Sequence, residues 1–307
     1  MEKTLREGRI KRRLKSCWPL YLFLLPGFIW FLMFCYKPMI GLRMAFYEYN
    51  IFRGFSGSRF VGLENFRIYI SSPDFSRTLV NTLMIALWQM AICFPVPIIL
   101  AIMITEMRSR AISKMVQTVT FLPHFISTVV VCGMVVNFLS PSTGIINLIM
   151  KKLGIDPVYF MVYPQYFRPV YTTMTLWQTA GFNAIVYIAA LMGIDPQLYE
   201  AAIVDGAGRW RRIIHVTIPG ILPTIVTMFI MNIGKMVKVG YESILLLYEP
   251  STYPTADVIS TYSFRMGIQN GDYGVATAAG LFEAVIALTL VVVANKVSRH
   301  LSDNAIW

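Results

Sequence analysis

Charge is what this sequence has least of. Only 14% of its 307 residues are Asp, Glu, Lys or Arg, where a soluble globular chain carries about 25%. The charges also avoid long stretches. Residues 18–36, 78–105, 115–150, 169–194 and 213–234 hold none, and 273–295 holds one, Glu283. A helix needs roughly 20 apolar residues to cross a hydrocarbon layer about 30 Å thick. The gaps therefore predict an all-α integral membrane protein with six transmembrane helices. The stretch 115–150 counts as one span plus a loop, because two spans in it would be very short and Pro141, Ser142 and Gly144 favour a loop.

Other absences exclude function classes. The three histidines (His124, His215, His300) are far apart, and the four cysteines form no CxxC or Cys/His spacing, so no metal site is expected. No phosphate-binding loop occurs: Gly234-Lys235 is followed by Met236 and lacks the upstream glycine. Nucleophile-elbow, zinc-protease and EF-hand patterns are missing too. No catalytic residue and no resident cofactor are expected, so if ATP drives this protein, another chain binds and hydrolyses it. A self-contained secondary transporter or channel should carry several intramembrane charges or an internal repeat. Here only Glu283 qualifies and no repeat is visible.

What charge there is sets orientation. A net charge of +11 would point to nucleic acid in a soluble protein, but no such partner is expected here. With the N-terminus in the cytoplasm, the inner segments are about 1–17, 105–114, 195–212 and 296–307. They hold fifteen of the 27 basic residues, which favours both termini inside. The expected organisation is a basic cytoplasmic arm (1–17), a first transmembrane helix (18–36), an extracytoplasmic segment (37–77), a core of five spans (78–297) and a cytoplasmic tail (298–307). The arm either binds anionic lipid or fixes topology. The first apolar run, 19 residues with no small-residue cleavage site after it, exceeds the roughly 7–15 of a signal peptide and is expected to stay uncleaved. Pro95 and Pro97 remove backbone donors and should kink the second span. The stretch GYESILLLY (240–248) is apolar enough to dip into the membrane.

The inner segment DPQLYEAAIVDGAGRWRRIIHVTIP (195–219) is the most informative. Asp195 is a helix N-cap, Pro196 suits the first helical position, and Gly206 suits the left-handed stop. The resulting helix of about ten residues, roughly 15 Å, is marginal alone in water and needs other contacts. Ala201 and Ala202 allow close approach, and Leu198, Tyr199 and Ile203 offer apolar contact. On these features alone it is equally a solvated connecting loop. The spacing says more. Glu200-Ala201-Ala202, then Gly206, then Pro219 resembles the signature loop of ABC-importer permeases, with Val216 and Ile218 in place of the usual Ile and Leu. GLENF (62–66), FLPHFIS (121–127) and ANKVSR (294–299) resemble the carbohydrate-uptake branch, LplB-like and MalF-like.

That resemblance implies a type I ABC importer permease fold in a bacterial cell membrane. It implies that Glu200, Ala201, Ala202, Asp205, Gly206 and Pro219 couple the chain to an ABC ATPase dimer, which binds ATP and Mg. It also implies a second, homologous permease completing the pore, an extracytoplasmic solute-binding protein, membrane lipid around the spans, and a carbohydrate substrate, with an oligosaccharide favoured over a non-sugar solute. Residues able to hydrogen-bond or stack on a sugar within the spans are Gln89 (beside Trp88), Trp177, Gln178, Asn183, Tyr187 and Asn232. Each serves equally well as a helix–helix contact, or, for the aromatics, as an interface anchor. Glu283, in mid-span, is expected to be protonated, paired, or facing the pathway.

Overall fold

The computed structural model describes residues 18, 20–236 and 240–301. The expected basic arm and residues 302–307 of the expected tail lie outside the described residues. Among the described residues five helices are long and apolar enough to cross a membrane: span 1 (Leu20–Phe46), span 2 (Asp74–Thr105), span 4 (Pro164–Met192), span 5 (Arg209–Lys235) and span 6 (Tyr273–Lys296). Span 3 is a broken pair, Arg110–Phe125 and Thr128–Phe138, bent by 100°. Counting that pair as one gives the six expected.

Charge gaps mark where apolar sequence ends, not where helices end. Span 1, expected to stop at Tyr36, continues to Phe46. A wide turn at Leu32–Tyr36 passes the Lys37 N–H to the Leu32 carbonyl. Pro38 then falls in the first turn of the next helical segment, where its missing donor is harmless. A similar wide turn, Ile213–Thr217, precedes Pro219 in span 5. Span 2, expected from residue 78, begins at Asp74, so Asp74 and Arg77 belong to its first turn. Its two prolines do interrupt it. The helix stops at Ile92 and restarts at Pro95, with Pro95 and Pro97 in the opening turn of the second segment.

The bend in span 3 was not expected. Pro123 opens a short 3₁₀ turn, Leu122–Phe125, and the Ser127 hydroxyl accepts from the Val130 N–H to start the next helix. FLPHFIS is thus a turn of chain direction, and span 4 holds it in place. His124 stacks on Phe182 at 3.9 Å between ring centroids. The Gln178 side chain donates to the Ile126 carbonyl at 2.9 Å, satisfying an acceptor that the break leaves outside helical hydrogen bonding. Gly181 faces the Thr120 carbonyl so closely that no side chain fits between them.

At the end of the bundle opposite the 195–219 loop lies a layer of short elements. Strands Tyr47–Glu48 and Arg59–Phe60 pair antiparallel, with Tyr47 opposite Phe60. Helix Glu64–Ile70 follows. Asn65 of GLENF is buried and donates to the carbonyls of Ala45 and Tyr47 at 2.9 and 3.0 Å. It thereby ties that helix to the end of span 1. Tyr241–Leu247, within the stretch expected to dip into the membrane, buries Ile244 and Leu247 in the chain's own core.

Candidate functional site

The loop between spans 4 and 5 folds as its capping residues dictate. A helix runs Pro196–Val204, and the Asp195 carboxylate accepts from the Gln197 N–H at 2.9 Å. At its other end Gly206 has φ +74°, the Ala207 N–H reaches the Ala202 carbonyl at 2.8 Å, and the Gly206 N–H reaches Ile203 at 3.0 Å. This pair of bonds is the Schellman stop, which satisfies the last carbonyls. None of the helix residues is buried. Glu200, Ala201, Asp205 and Gly206 are exposed and Ala202 is half-buried. Leu198 and Ile203 are exposed, and Val204 is 87% exposed.

One contact ties this helix itself to span 5, and two more tie the start of span 5 to its surroundings. The Tyr199 hydroxyl meets the Thr217 hydroxyl at 3.1 Å. The Arg209 guanidinium bonds the Glu106 carboxylate at 3.0 Å and the Glu106 carbonyl at 3.3 Å. Gly220 packs against Ile194 with no space for a larger residue without displacing that side chain. Pro219 lies just after the wide turn, at the start of the Ile218–Met236 helical segment.

The pathway candidates separate into two groups. Gln89, Asn183, Tyr187 and Asn232 line one cavity of about 210 Å³, together with Cys93, Phe94 and Pro97 at the break in span 2. Trp177 and Gln178 do not line it. Trp177 lines a separate, mostly apolar cavity with Val131, Phe138 and Phe160, and Gln178 is held by Ile126. Glu283 is 7% exposed and is likewise absent from the cavity lining. Burial pushes the Tyr69 phenol up to about 12, against the hydrogen bond with Thr78, and nearby Tyr262, Glu283 and Asp257 add to the rise.

Two features of the cavity were legible but unused. Thr175, Thr179, Asn183 and Tyr187 recur every four residues along span 4, which is one face of a helix, and all four line the cavity. Asn232 and Lys235, three residues apart on span 5, line it as well. The Thr175 and Thr179 hydroxyls donate to the carbonyls four residues earlier, at 2.9 and 2.8 Å. Their remaining oxygen lone pairs can accept.

Sequence reasoning did not foresee an ionic cluster at the far end of the bundle. Asp257 is fully buried. Arg265 binds it through two nitrogens at 3.0 and 2.9 Å, Arg77 at 2.9 Å, and the Thr261 hydroxyl at 2.9 Å. Burial lowers the Arg265 pKa, but the Asp257 hydrogen bonds and charge outweigh it and hold it above its ordinary value. Asn81 donates to the Asp257 carbonyl at 3.0 Å and accepts from Arg168 at 2.9 Å. The cluster thus joins spans 2 and 4 to the segment before span 6.

Comparison with known proteins places this geometry among relatives. The family model described as "Binding-protein-dependent transport system inner membrane component" matches residues 94–304. The chain is 39% identical over 288 residues to the polygalacturonan/rhamnogalacturonan transport system permease protein YteP of Bacillus subtilis (strain 168), covering 94% of this chain and 90% of that protein. It is 37% identical to Protein LplB of the same organism, covering 94% and 91%. It also resembles a chain of a crystal structure of a bacterial ABC transporter involved in the import of the acidic polysaccharide alginate. The TM-score is 0.88 and the identity 48%, over 96% of this chain and 99% of that one. A second crystal structure, of a bacterial alginate ABC transporter in complex with alginate pentasaccharide-bound periplasmic protein, gives a TM-score of 0.89 and 47% identity, over 97% and 100%.

Proposed function

The chain belongs to the binding-protein-dependent transport system inner membrane component family, and on that premise we propose that it is the permease subunit of an ATP-driven importer. It forms half of the pathway for a carbohydrate, most simply an oligosaccharide, that an extracytoplasmic binding protein delivers. A second permease supplies the other half. Two ATPase subunits supply the energy and bind ATP and Mg themselves. Both termini face the cytoplasm, as the distribution of basic residues favours.

The observation that carries this reading is the Pro196–Val204 helix. Nine residues are too few for a stable helix in water. This one is stopped cleanly at both ends, yet buries none of its residues within the chain. Its exposed Leu198, Ile203 and Val204 are suited to a groove on a partner. In the permease reading that partner is the ATPase. Closure of the two ATPases moves the helix, the spans tilt as packed bodies, and the pathway opens to the other side. ATP drives the cycle because it binds one of the two arrangements better than the other.

The test is co-purification. Expressed with its ATPase and second permease, the wild-type chain should bring both down from detergent extracts. Glu200→Arg together with Leu198→Asp should leave the second permease bound, lose the ATPase, and abolish uptake. Retention of the ATPase with normal uptake would overturn the docking role.

A further inference from the structure

Among the described residues, the cavity of about 210 Å³ is lined by one charged side chain, and it is a cation. Lys235 lines it beside Asn232, is exposed, and forms no ion pair among the described residues. Among the described residues no carboxylate lines the cavity, and Glu283, in the middle of span 6, is placed elsewhere. The Gln89 and Asn183 amides and the Tyr187 hydroxyl line the same cavity, and all are able to donate. The Thr175 and Thr179 oxygens remain as acceptors on the same face of span 4.

A neutral sugar needs only the donors and acceptors. Lys235 is solvated where it lines the cavity, and a neutral ligand gains nothing from its charge. An anionic ligand does gain, since a carboxylate entering the cavity is desolvated and needs a counter-charge together with hydrogen bonds. The cavity is also smaller than the roughly 300–1,000 Å³ of a complete small-molecule site. That fits a half-site which a second subunit completes. We infer that the cavity takes a uronate ring of an acidic oligosaccharide, with Lys235 as the residue that selects its carboxylate and Asn183, Gln89 and Tyr187 holding its hydroxyls. This rests on the permease reading and adds the charge class of the cargo.

The experiment uses the purified complex of this chain with its second permease and ATPases, without binding protein. Two probes are added in equilibrium dialysis: a galacturonate trisaccharide and its carboxyl-reduced, neutral counterpart. The acidic probe should bind more tightly, and only its affinity should fall as salt is raised. Lys235→Gln should weaken the acidic probe roughly ten- to a hundredfold and leave the neutral one within about twofold. Lys235→Arg should restore most of the loss. An equal effect of Lys235→Gln on both probes, or none on either, assigns Lys235 to packing or to the membrane interface and overturns the inference. Preference of the wild type for the neutral probe overturns it too, while leaving the carbohydrate reading intact. Binding of neither probe removes the carbohydrate reading and the inference together.

Discussion

At position 181 a hydrogen atom is all that the crossing of spans 3 and 4 admits. A Cβ there would overlap the Thr120 carbonyl, and backbone cannot swing aside as a flexible side chain can. Gly181→Ala should therefore destabilise the protein by about 1–3 kcal/mol, the usual cost of overpacking. Thermal unfolding in detergent measures it, and an unchanged midpoint would show that the crossing opens freely. Gly206 illustrates a different constraint. Space is open around it, but its φ of +74° is left-handed. Gly206→Ala should cost about 1–2 kcal/mol locally, seen as faster hydrogen exchange at the Ala207 amide with the global midpoint unmoved. Tyr69 gives a pH signature. Its phenol ionises near 10.0 when free and at about 12 when buried here. The unfolded chain then loses this proton first as pH rises. Stability should be complete below pH 10 and decline by about 1.4 kcal/mol per pH unit between 10 and 12, and Tyr69→Phe should remove that portion of the alkaline decline.

Elements differ in how far the sequence discloses them. The Pro196–Val204 helix was legible because its signals are local: Asp195, Pro196 and Gly206 act on backbone groups within a few residues of themselves. The bend in span 3 was half legible. Pro123 and Ser127 are visible breakers, but the 100° turn also depends on Phe182, Gln178 and Gly181 in another span. The Asp257 cluster was not legible at all, since Arg77 and Asp257 lie 180 positions apart and nothing local pairs them. Its energetics are nonetheless definite. Asp257→Asn keeps a partner for Thr261 but leaves Arg265 and Arg77 without the buried charge that neutralises them, which should cost about 3–5 kcal/mol. A cycle with Arg265→Met should show strong coupling, with the double variant more stable than Asp257→Asn alone. Additive losses would show that the cluster does not act as a unit.

For the whole molecule, uncharged stretches disclosed the number of spans, because any charge facing lipid is expensive. They did not disclose their ends. Span 1 is the clearest case: its most apolar window has no buried residue, while its last segment, Ile40–Phe46, packs against span 6 and buries Ala45. Replacing Leu20–Tyr36 with an unrelated apolar helix of the same length should therefore leave the unfolding midpoint within about a degree or two, whereas Ala45→Phe should lower it. The candidate cavity was legible residue by residue, through amides and hydroxyls within apolar runs. Its membership was not, because Gln89 and Gln178 look alike in sequence and only packing separates the one that faces space from the one that bonds a carbonyl.

The Arg209–Glu106 bridge gives this architecture a mechanical property. Glu106 directly follows span 2, the loop helix follows span 4, and Arg209 opens span 5. Arg209 is exposed and Glu106 half-buried, so the pair adds little to stability. Yet it ties the start of span 5 to the end of span 2, so the short helix between spans 4 and 5 is linked to span 2 as well. Force applied there is shared among three long rods at once, and the rods cannot follow it one at a time while the strap holds. If the chain works with an ATPase as proposed, Arg209→Ala should leave folding and ATPase binding intact and make the linkage slack: ATP would still be hydrolysed, with fewer molecules carried per ATP, as transport and hydrolysis measured together would show.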